Sequence, residues 1–187
     1  ELFSTEMNGC TIAAVKESPW QLQSAENNLG IPQSEGYFNA GVMLIDMDRY
    51  RESSVFQRSI ETLGSGRRLE FLDQDIFNLI FRNDWVRLDE KWNVLNGFLK
   101  QCYQDGSKMA LGLMNGIGNR KIIHYSSSRK PWHVRCGNPL ASEYYKYLRL
   151  TPWACAMAIY PLNLAYRAAI RLSGRLGIRE YEYIRGI

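Results

Sequence analysis

Short apolar segments along the chain predict the strands of a buried sheet. The segment at 11–15 is a continuous apolar run typical of a buried strand, and the segment at 37–47 is interrupted by Asn39 and Gly41. A glycine inside a strand often marks a bulge or a close approach by a ligand. The predicted strands are TIAAV (11–15), YFNAGVMLIDM (37–47), WVRLD (85–89) and KIIHY (121–125).

The segments between these strands predict helices. Apolar residues follow helical spacing over 49–63, and the sequence GSG at 64–66 ends that helix. A second helix is predicted over 72–83, with Asp73 as its N-cap. Residues 16–36 are polar and rich in proline and glycine, which predicts a loop or lid. Helices between strands indicate an α/β fold with a mixed sheet.

The composition is typical of a soluble globular protein. The 187 residues suit one domain with a small appendage, and 45% are hydrophobic while 22% are charged. The net charge of +4 is mild and most of the chain has no dense basic stripe, so we expect no nucleic-acid partner. The four cysteines are widely spaced, without a CxxC pair. A zinc site is therefore not expected, and a reducing compartment is the simpler interpretation.

The first residues do not form a signal peptide. ELFSTEMNGCTIAAV has no basic start, and no long apolar run follows it. The chain opens as though within a fold, so we expect an N-terminal portion upstream of Glu1.

Asn39 lies where an apolar strand would otherwise continue. Ala40 and Gly41 keep the surface beside it flat, and a short amide with two donors and an acceptor can hold sugar hydroxyls. The alternative is a strand bulge that contains a satisfied asparagine.

Polar residues also open the helix predicted at 72–83. Asp73, Gln74 and Asp75 lie in its first turn, where the helix N-terminus favours anions. The alternative is ordinary capping by Asp73, with acidic residues in the first turn.

A third polar cluster follows the last predicted strand. His124 ends that strand, and three serines, Arg129 and Lys130 come next. A histidine at the rim of a sheet is well placed to bind a metal or substrate, and the following loop can hold phosphate oxygens by charge-assisted hydrogen bonds. The alternative is a surface turn with a core histidine.

Together these segments resemble glycosyltransferase family 8. The segments YFNAGVMLID, DQDIFN, KWN and IIHYSSSRKPWH occur in the family's order, and the resemblance runs from about residue 10 to 140. The family includes bacterial lipopolysaccharide galactosyl- and glucosyltransferases and glycogenin. The resemblance implies a GT-A fold, with a mixed α/β sheet that binds a nucleotide sugar. It also implies transfer of a hexose from a UDP-sugar, with retention of configuration and with Mn²⁺ or Mg²⁺ as cofactor.

The resemblance implies a donor-sugar site. Asn39, Ala40 and Gly41 match positions that bind the sugar, and Asp73 and Gln74 match the pair beside it. The Gln74 carbonyl is expected near the anomeric carbon. An amide is a poor nucleophile, so front-face departure and attack suit it better than a covalent intermediate. Asp73 is the alternative nucleophile, by analogy with retaining glycosidases.

The resemblance also implies a diphosphate site. His124 matches a metal ligand, and Lys130 and Ser127 match positions at the phosphates, although relatives often have glycine in place of Ser127. The family's metal-binding DxD motif does not occur at the start of this chain. The triplets at 46–48 and 73–75 have its spacing but match other family positions. One histidine does not hold Mn²⁺ tightly without hard oxygen ligands, so we expect those ligands upstream.

The C-terminal residues have a different character. The uncharged stretch 150–166 contains two prolines and is too short for a typical membrane span. Arginines then recur every fourth residue, and on a helix they would line one broad face next to apolar residues. This pattern predicts a membrane-surface helix, and the alternative is a helix packed on the domain with a solvated basic face. The arginines are Arg167, Arg171, Arg175 and Arg179.

The combined prediction is the C-terminal part of a GT-A catalytic domain at 1–149, followed by a helical, basic and aromatic extension at 150–187. The predicted enzyme transfers glucose or galactose from UDP-glucose or UDP-galactose to a glycan or lipopolysaccharide-type glycolipid. We expect it in the cytoplasm, peripheral on the inner face of a bacterial membrane. The alternative is a truncated or decayed, non-catalytic member that binds glycans or acts at the membrane surface.

Overall fold

A mixed three-stranded sheet has a deeply buried central strand. Strand β1 (Ile12–Lys16) lies between β2 (Phe38–Ile45) and β3 (Trp85–Arg87). It runs antiparallel to β2 and parallel to β3, which confirms the predicted mixed sheet. The computed structural model describes residues 1–95, 119–126, 128–136, 138 and 140–175.

Strand β1 is buried on both faces. Ile12 and Ala14 pack in one apolar cluster with Phe38 of β2, whereas Ala13 and Val15 pack in another cluster. Burial of a single Val or Ile side chain stabilises a fold by about 1.5–3 kcal/mol. The continuous apolar run that predicted this strand therefore reflects its central position.

A second, smaller sheet pairs two short strands. Strand β4 (Val94–Leu95) runs parallel to β5 (Ile123–His124). The strand predicted at 121–125 is longer than the one observed. The backbone N–H groups of Lys121 and Ile122 both donate to the Lys91 carbonyl, at 2.9 and 3.1 Å, instead of continuing the ladder.

Helices connect the strands of the first sheet and continue after the second. The helix over Leu72–Ile80 packs the buried Ile76 and Ile80 in the same cluster as Phe38. Short 3₁₀ helices cover Leu2–Ser4, Glu90–Trp92 and Ala154–Ile159. Among the described residues the α-helices are α1 (Pro19–Leu29), α2 (Met47–Glu52), α3 (Val55–Gly64), α4 (Leu72–Ile80), α5 (Ala141–Leu148) and α6 (Tyr160–Arg175).

Helix α1 corrects the prediction of a loop or lid at 16–36. Pro19 occupies the first helical position, where its missing N–H costs nothing, and Gly30 ends the helix in the left-handed region at φ 68°. Leu22, Ala25 and Leu29 are buried on one face. The proline and glycine therefore mark the two ends of a helix instead of a loop.

The single helix predicted at 49–63 is also wrong, because the structure contains two. Helix α2 ends at Glu52, and Ser54 adopts the left-handed region at φ 52° before α3 begins. Asp46 caps α2, since its side chain accepts hydrogen bonds from the N–H groups of Asp48 and Arg49. The triplet at 46–48 thus begins a helix.

The C-terminal helices pack next to the last strand and loop. The rings of Tyr145 on α5 and Tyr160 on α6 lie 4.4 Å apart between centroids.

In the part of the chain that the structure describes, no helix has both the length and the apolar character needed to cross a membrane. Arg179 and the side chains of the other predicted basic-face arginines lie outside the description, so that face stays a prediction.

Candidate functional site

Asn39 on β2 is the centre of a buried hydrogen-bond network. Its Nδ2 donates to Glu17 Oε1 at 2.7 Å and to Gln74 Oε1 at 2.9 Å. Its Oδ1 accepts from the Gly41 N–H at 2.9 Å and from Asn93 Nδ2 at 2.8 Å. A single amide therefore joins β2 to three distant parts of the chain.

The predicted bulge is present at the same place. Phe38 pairs with Lys16 and Met43 pairs with Ala14, so β2 has extra residues between two pairings of β1. This irregularity lets the backbone N–H groups of Ala40 and Gly41 bond side chains instead of β1. Of the two alternatives for Asn39, the structure thus contains the bulge together with a network that reaches well beyond it.

Gln74 lies in the first turn of α4 and points into this network. Its Oε1 accepts from Asn39 Nδ2 and from the Ala40 N–H, at 2.9 and 3.1 Å. Its Nε2 lies 3.2 Å from the Tyr37 hydroxyl and 3.5 Å from Glu17 Oε1. Both ends of the amide are therefore engaged, and its carbonyl oxygen already accepts two hydrogen bonds.

Asp73 lies in the same turn but is exposed. The predicted N-cap role of Asp73 is wrong, because Phe71 is the capping residue and Asp73 is inside the helix. Asp75 performs the related task instead, since its Oδ2 accepts from the N–H groups of Glu70 and Phe71, at 2.6 and 2.8 Å. The carboxylate of Asp75 thus fixes the start of α4, in keeping with the preference of helix N-termini for negative charge.

Tyr37 connects this carboxylate to the network. Its hydroxyl donates to Asp75 Oδ1 at 2.5 Å and lies within hydrogen-bond distance of Gln74. Burial and the neighbouring Asp75 carboxylate raise the pKa of Tyr37 far above its ordinary value. The hydroxyl therefore keeps its proton and acts as a donor.

Glu17 follows β1 and is a buried carboxylate that the sequence analysis missed. It is 4% exposed, and its Oε2 accepts from the Ser18 N–H at 2.9 Å. Burial raises the pKa of Glu17, and the hydrogen bonds from Ser18, Asn39 and Gln74 partly oppose this effect. The signal available in the sequence was an acidic residue at the end of an apolar strand.

His124 joins the network through Asn93. The His124 Nδ1 lies 3.1 Å from Asn93 Oδ1, and Asn93 in turn donates to Asn39. Burial and the positive charge of Lys130 lower the pKa of His124. The imidazole is therefore favoured in its neutral form, with Nδ1–H donating to Asn93 and the Nε2 lone pair available.

Asn93 is a second residue whose importance the sequence analysis missed. It is fully buried, and its side chain connects the first sheet to the second. KWN was part of the family resemblance, but no local pattern gave the asparagine a role.

The loop after β5 carries the predicted phosphate contacts. The Lys130 Nζ donates to the Tyr125 carbonyl, which holds the ammonium group next to the end of β5. An ammonium group has three N–H donors, so others remain for an anion. Ser127 lies outside the described residues, and its predicted contact stays a prediction.

A comparison with protein families identifies the family of this chain. The model described as glycosyl transferase family 8 matches residues 1–136, which is more than half of the chain. The chain belongs to glycosyl transferase family 8.

Family relatives with curated names are distant and longer. General stress protein A of Bacillus subtilis is 26% identical over 157 residues, which cover 82% of this chain and 54% of that protein. A lipopolysaccharide 1,3-galactosyltransferase of Salmonella typhimurium is 27% identical over 160 residues, which cover 81% of this chain and 43% of that protein. This family 8 chain thus spans about half, or less, of the length of these relatives.

Solved structures confirm the GT-A fold. Galactosyltransferase LgtC, solved with donor and acceptor sugar analogs, has a TM-score of 0.62 and 23% identity, over 81% of this chain and 55% of that one. The glycosyltransferase GlyE of Streptococcus pneumoniae has a TM-score of 0.59 and 22% identity, over 84% of this chain and 37% of that one.

The residues of this family 8 chain fit one ligand of a divalent metal ion. His124 is bound at Nδ1 by Asn93, which orients the ring and leaves Nε2 for a metal, as outer hydrogen bonds commonly do. In the described ranges no group of three His, Cys, Asp or Glu side chains is placed to hold a metal. The role of His124 as a metal ligand stays a prediction.

Proposed function

We propose that this chain holds the donor sugar and part of the diphosphate in a retaining hexosyltransferase. The enzyme would transfer glucose or galactose from a UDP-sugar to a glycan or lipopolysaccharide-type acceptor. The observation that supports this best is the network that joins Asn39 and Gln74 to His124 through Asn93. It links the predicted sugar-binding residues to the predicted metal ligand by side-chain hydrogen bonds.

In this proposal the sugar lies against Asn39, Ala40, Gly41, Asp73 and Gln74. Asp73 is exposed at the start of α4, so it is free to accept hydrogen bonds from sugar hydroxyls. Gln74 Oε1 is held by two donors, which keep this neutral oxygen fixed and reduce its nucleophilicity. These hydrogen bonds favour a front-face reaction, with Gln74 stabilising positive charge at the anomeric carbon, over a covalent intermediate on Gln74.

Transfer requires the bond from the anomeric carbon to the UDP oxygen to break and a bond to the acceptor oxygen to form. The negative charge that develops on UDP is met by Lys130, with Ser127 as a further proposed contact. Mn²⁺ or Mg²⁺, with His124 as one ligand, would add positive charge at the diphosphate. In this front-face reaction the proton of the acceptor hydroxyl goes to the departing phosphate oxygen of UDP.

The acceptor proposal includes a membrane surface. Large apolar side chains project from the segment around the last 3₁₀ helix and α6, with Trp153 70% and Leu162 56% exposed. The predicted basic face of the same extension would attract anionic lipid headgroups. These features support an enzyme on the inner face of the cytoplasmic membrane, where a glycolipid acceptor is within reach.

The direct test is the binding of UDP to the protein expressed from its natural gene. Isothermal titration with and without Mn²⁺, followed by assays with UDP-glucose and UDP-galactose, compares the wild type with His124→Ala, Lys130→Ala and Asn39→Ala. We expect His124→Ala to abolish metal-dependent turnover, Lys130→Ala to slow UDP departure, and Asn39→Ala to weaken donor binding and turnover together.

Lys146→Ala is the matched control for Lys130. Lys146 lies on α5 and pairs with Glu143 on the surface, so its loss removes the same charge away from the site. Absence of UDP binding by the wild type, or equal and mild losses in all three site variants, would reject the proposed function.

A further inference from the structure

The loop that carries Lys130 is held by two side chains from the C-terminal helices. The Tyr145 hydroxyl on α5 donates to the Pro131 carbonyl at 2.8 Å. Asn163 Nδ2 on α6 donates to the His133 carbonyl at 3.0 Å. Tyr145 is 2% exposed and Asn163 is fully buried, so water does not readily replace either bond.

The same loop is closed internally around Lys130. The Lys130 N–H donates to His133 Nδ1 at 3.3 Å, and the His133 N–H donates to the Lys130 carbonyl at 2.9 Å. Pro131 is buried and fixes its own φ angle. The turn at 130–133 is therefore closed by its own hydrogen bonds, and two of its carbonyls accept hydrogen bonds from helices that follow it in the chain.

We propose that Tyr145 and Asn163 are positioning residues that hold the Lys130 turn in the geometry needed to bind the diphosphate. The inference rests on the proposed role of Lys130, and it assigns to α5 and α6 a part in donor binding. Neither side chain contacts the donor; each acts on Lys130 through a backbone carbonyl. Their loss lets the turn move, so that the ammonium group is no longer held at one place relative to the phosphates.

The side-chain amide of Asn163 is only partly hydrogen-bonded among the described residues. Its Oδ1 has no hydrogen-bond partner among the described residues, although the atom is buried. A buried polar atom without a partner destabilises a fold. Asn163 is therefore not the residue that would give this position the greatest stability. Among the described residues, the one hydrogen bond of its side chain is the bond to the His133 carbonyl.

Because Asn163 Oδ1 has no partner in the described part of the chain, the change Asn163→Leu tests the role of the side chain with little expected effect on stability. Asn163→Leu keeps a similar shape and removes both the bond and the unpartnered oxygen, so the two effects on stability oppose each other. The His133 carbonyl still accepts from the Cys136 N–H at 3.0 Å and is not left unpaired. We expect the melting temperature to change little while the turn is released.

The experiment measures UDP binding by titration calorimetry in the protein from its natural gene. The variants are Tyr145→Phe, Asn163→Leu, Lys130→Ala and each positioning change combined with Lys130→Ala. Tyr147→Phe is the control, because Tyr147 lies on the same helix but is 71% exposed. Hydrogen exchange of the peptide 128–136 reports the mobility of the turn directly.

We expect Tyr145→Phe and Asn163→Leu each to weaken UDP binding about tenfold, equivalent to about 1.4 kcal/mol. Each should also speed exchange of the 128–136 peptide, whereas Tyr147→Phe changes neither. In the Lys130→Ala background the same changes should have almost no further effect on affinity, because residues that act through Lys130 are not additive with it.

Two results separate this inference from the proposed function. If Lys130→Ala weakens binding but Tyr145→Phe and Asn163→Leu do not, or if their effects add fully to that of Lys130→Ala, the positioning role is wrong. If the wild type does not bind UDP, or Lys130→Ala leaves binding unchanged, the proposed function fails first and the inference fails with it.

Discussion

Gly41 on β2 leaves the space that the imidazole of His124 occupies. A Cβ atom on Gly41 would lie 2.2 Å from His124 Cε1 and 2.6 Å from its Nδ1. Contacts this short are not tolerated, and Asn39 Oδ1, at 2.9 Å, blocks movement on another side. The sequence analysis interpreted this glycine as a sign of a bulge or of close approach by a ligand, whereas the group that approaches it in the structure is the side chain of His124.

The change Gly41→Ala should displace His124 from Asn93 and impair metal-dependent UDP binding. Overpacking of this kind costs about 1–3 kcal/mol of unfolding free energy, which chemical denaturation would measure. Gly64→Ala is the control, because a Cβ at exposed Gly64 meets nothing within 4 Å. Its stability should be unchanged or raised by up to about 1 kcal/mol. If Gly41→Ala bound UDP as tightly as the wild type, the position of His124 would not matter for metal-dependent UDP binding.

Tyr37→Phe should destabilise the protein and disturb Gln74. The change leaves Asp75 Oδ1 without its donor at 2.5 Å and removes a partner of Gln74 Nε2. Loss of a donor to a buried acceptor costs about 1–3 kcal/mol, which equilibrium denaturation would measure against Tyr147→Phe. Donor binding should weaken as well, and a variant as stable as the control would exclude a contribution from this hydroxyl.

Glu17→Gln should change the pH dependence of stability. Burial raises the pKa of Glu17 above 4.5 in the folded state, so the folded protein binds more protons than the unfolded one between that value and the raised pKa. The Glu17 contribution is thus complete below the ordinary pKa and is lost as pH rises through the raised pKa. The unfolding free energy of the wild type should fall across that window relative to Glu17→Gln, as denaturant titrations at several pH values would show. Glu61→Gln, on the exposed side of α3, should retain the wild-type slope.

Replacement of the exposed apolar side chains Trp153 and Leu162 by serine should reduce membrane binding. Each inserted side chain adds about 25 cal/mol for every Å² of apolar surface that it buries, so the double variant should bind several-fold less tightly. Co-sedimentation with vesicles that contain phosphatidylglycerol would measure the change. Phe56→Ser on α3 is the control, since Phe56 is 79% exposed but lies outside the extension. An equal loss in the control would contradict a role for the extension.

The parts of the fold that the sequence predicted well are those with local patterns. The continuous apolar run of β1 and the Asn39–Gly41 interruption of β2 both correspond to observed features. The Asn39–Gly41 interruption could be recognised in the sequence because few residue types suit a strand bulge. The polar helix α1 was mistaken for a loop, because three buried side chains on one face are a weak signal among polar neighbours.

The residues that were missed are connected only by long-range contacts. Glu17 and Asn93 both bond Asn39, from positions 22 and 54 residues away. Neither lies in a spacing pattern, because the sheet topology and not the local sequence brings them together. The prediction for Asp73 failed for a related reason, because the backbone N–H groups just before α4 bond Asp75, and this depends on where the chain turns into that helix.

We expect the side-chain bridge from Asn39 through Asn93 to His124 to form late in folding. Its bonds close chain separations of 54 and 31 residues and need both sheets in place, so they form only after most loop-closure entropy has been overcome. A partly folded chain with an intact first sheet would retain Asn39 and Gln74 but lose their link to His124. Under the proposed function, recovery of UDP affinity during refolding would therefore report completion of the second sheet instead of collapse of the first.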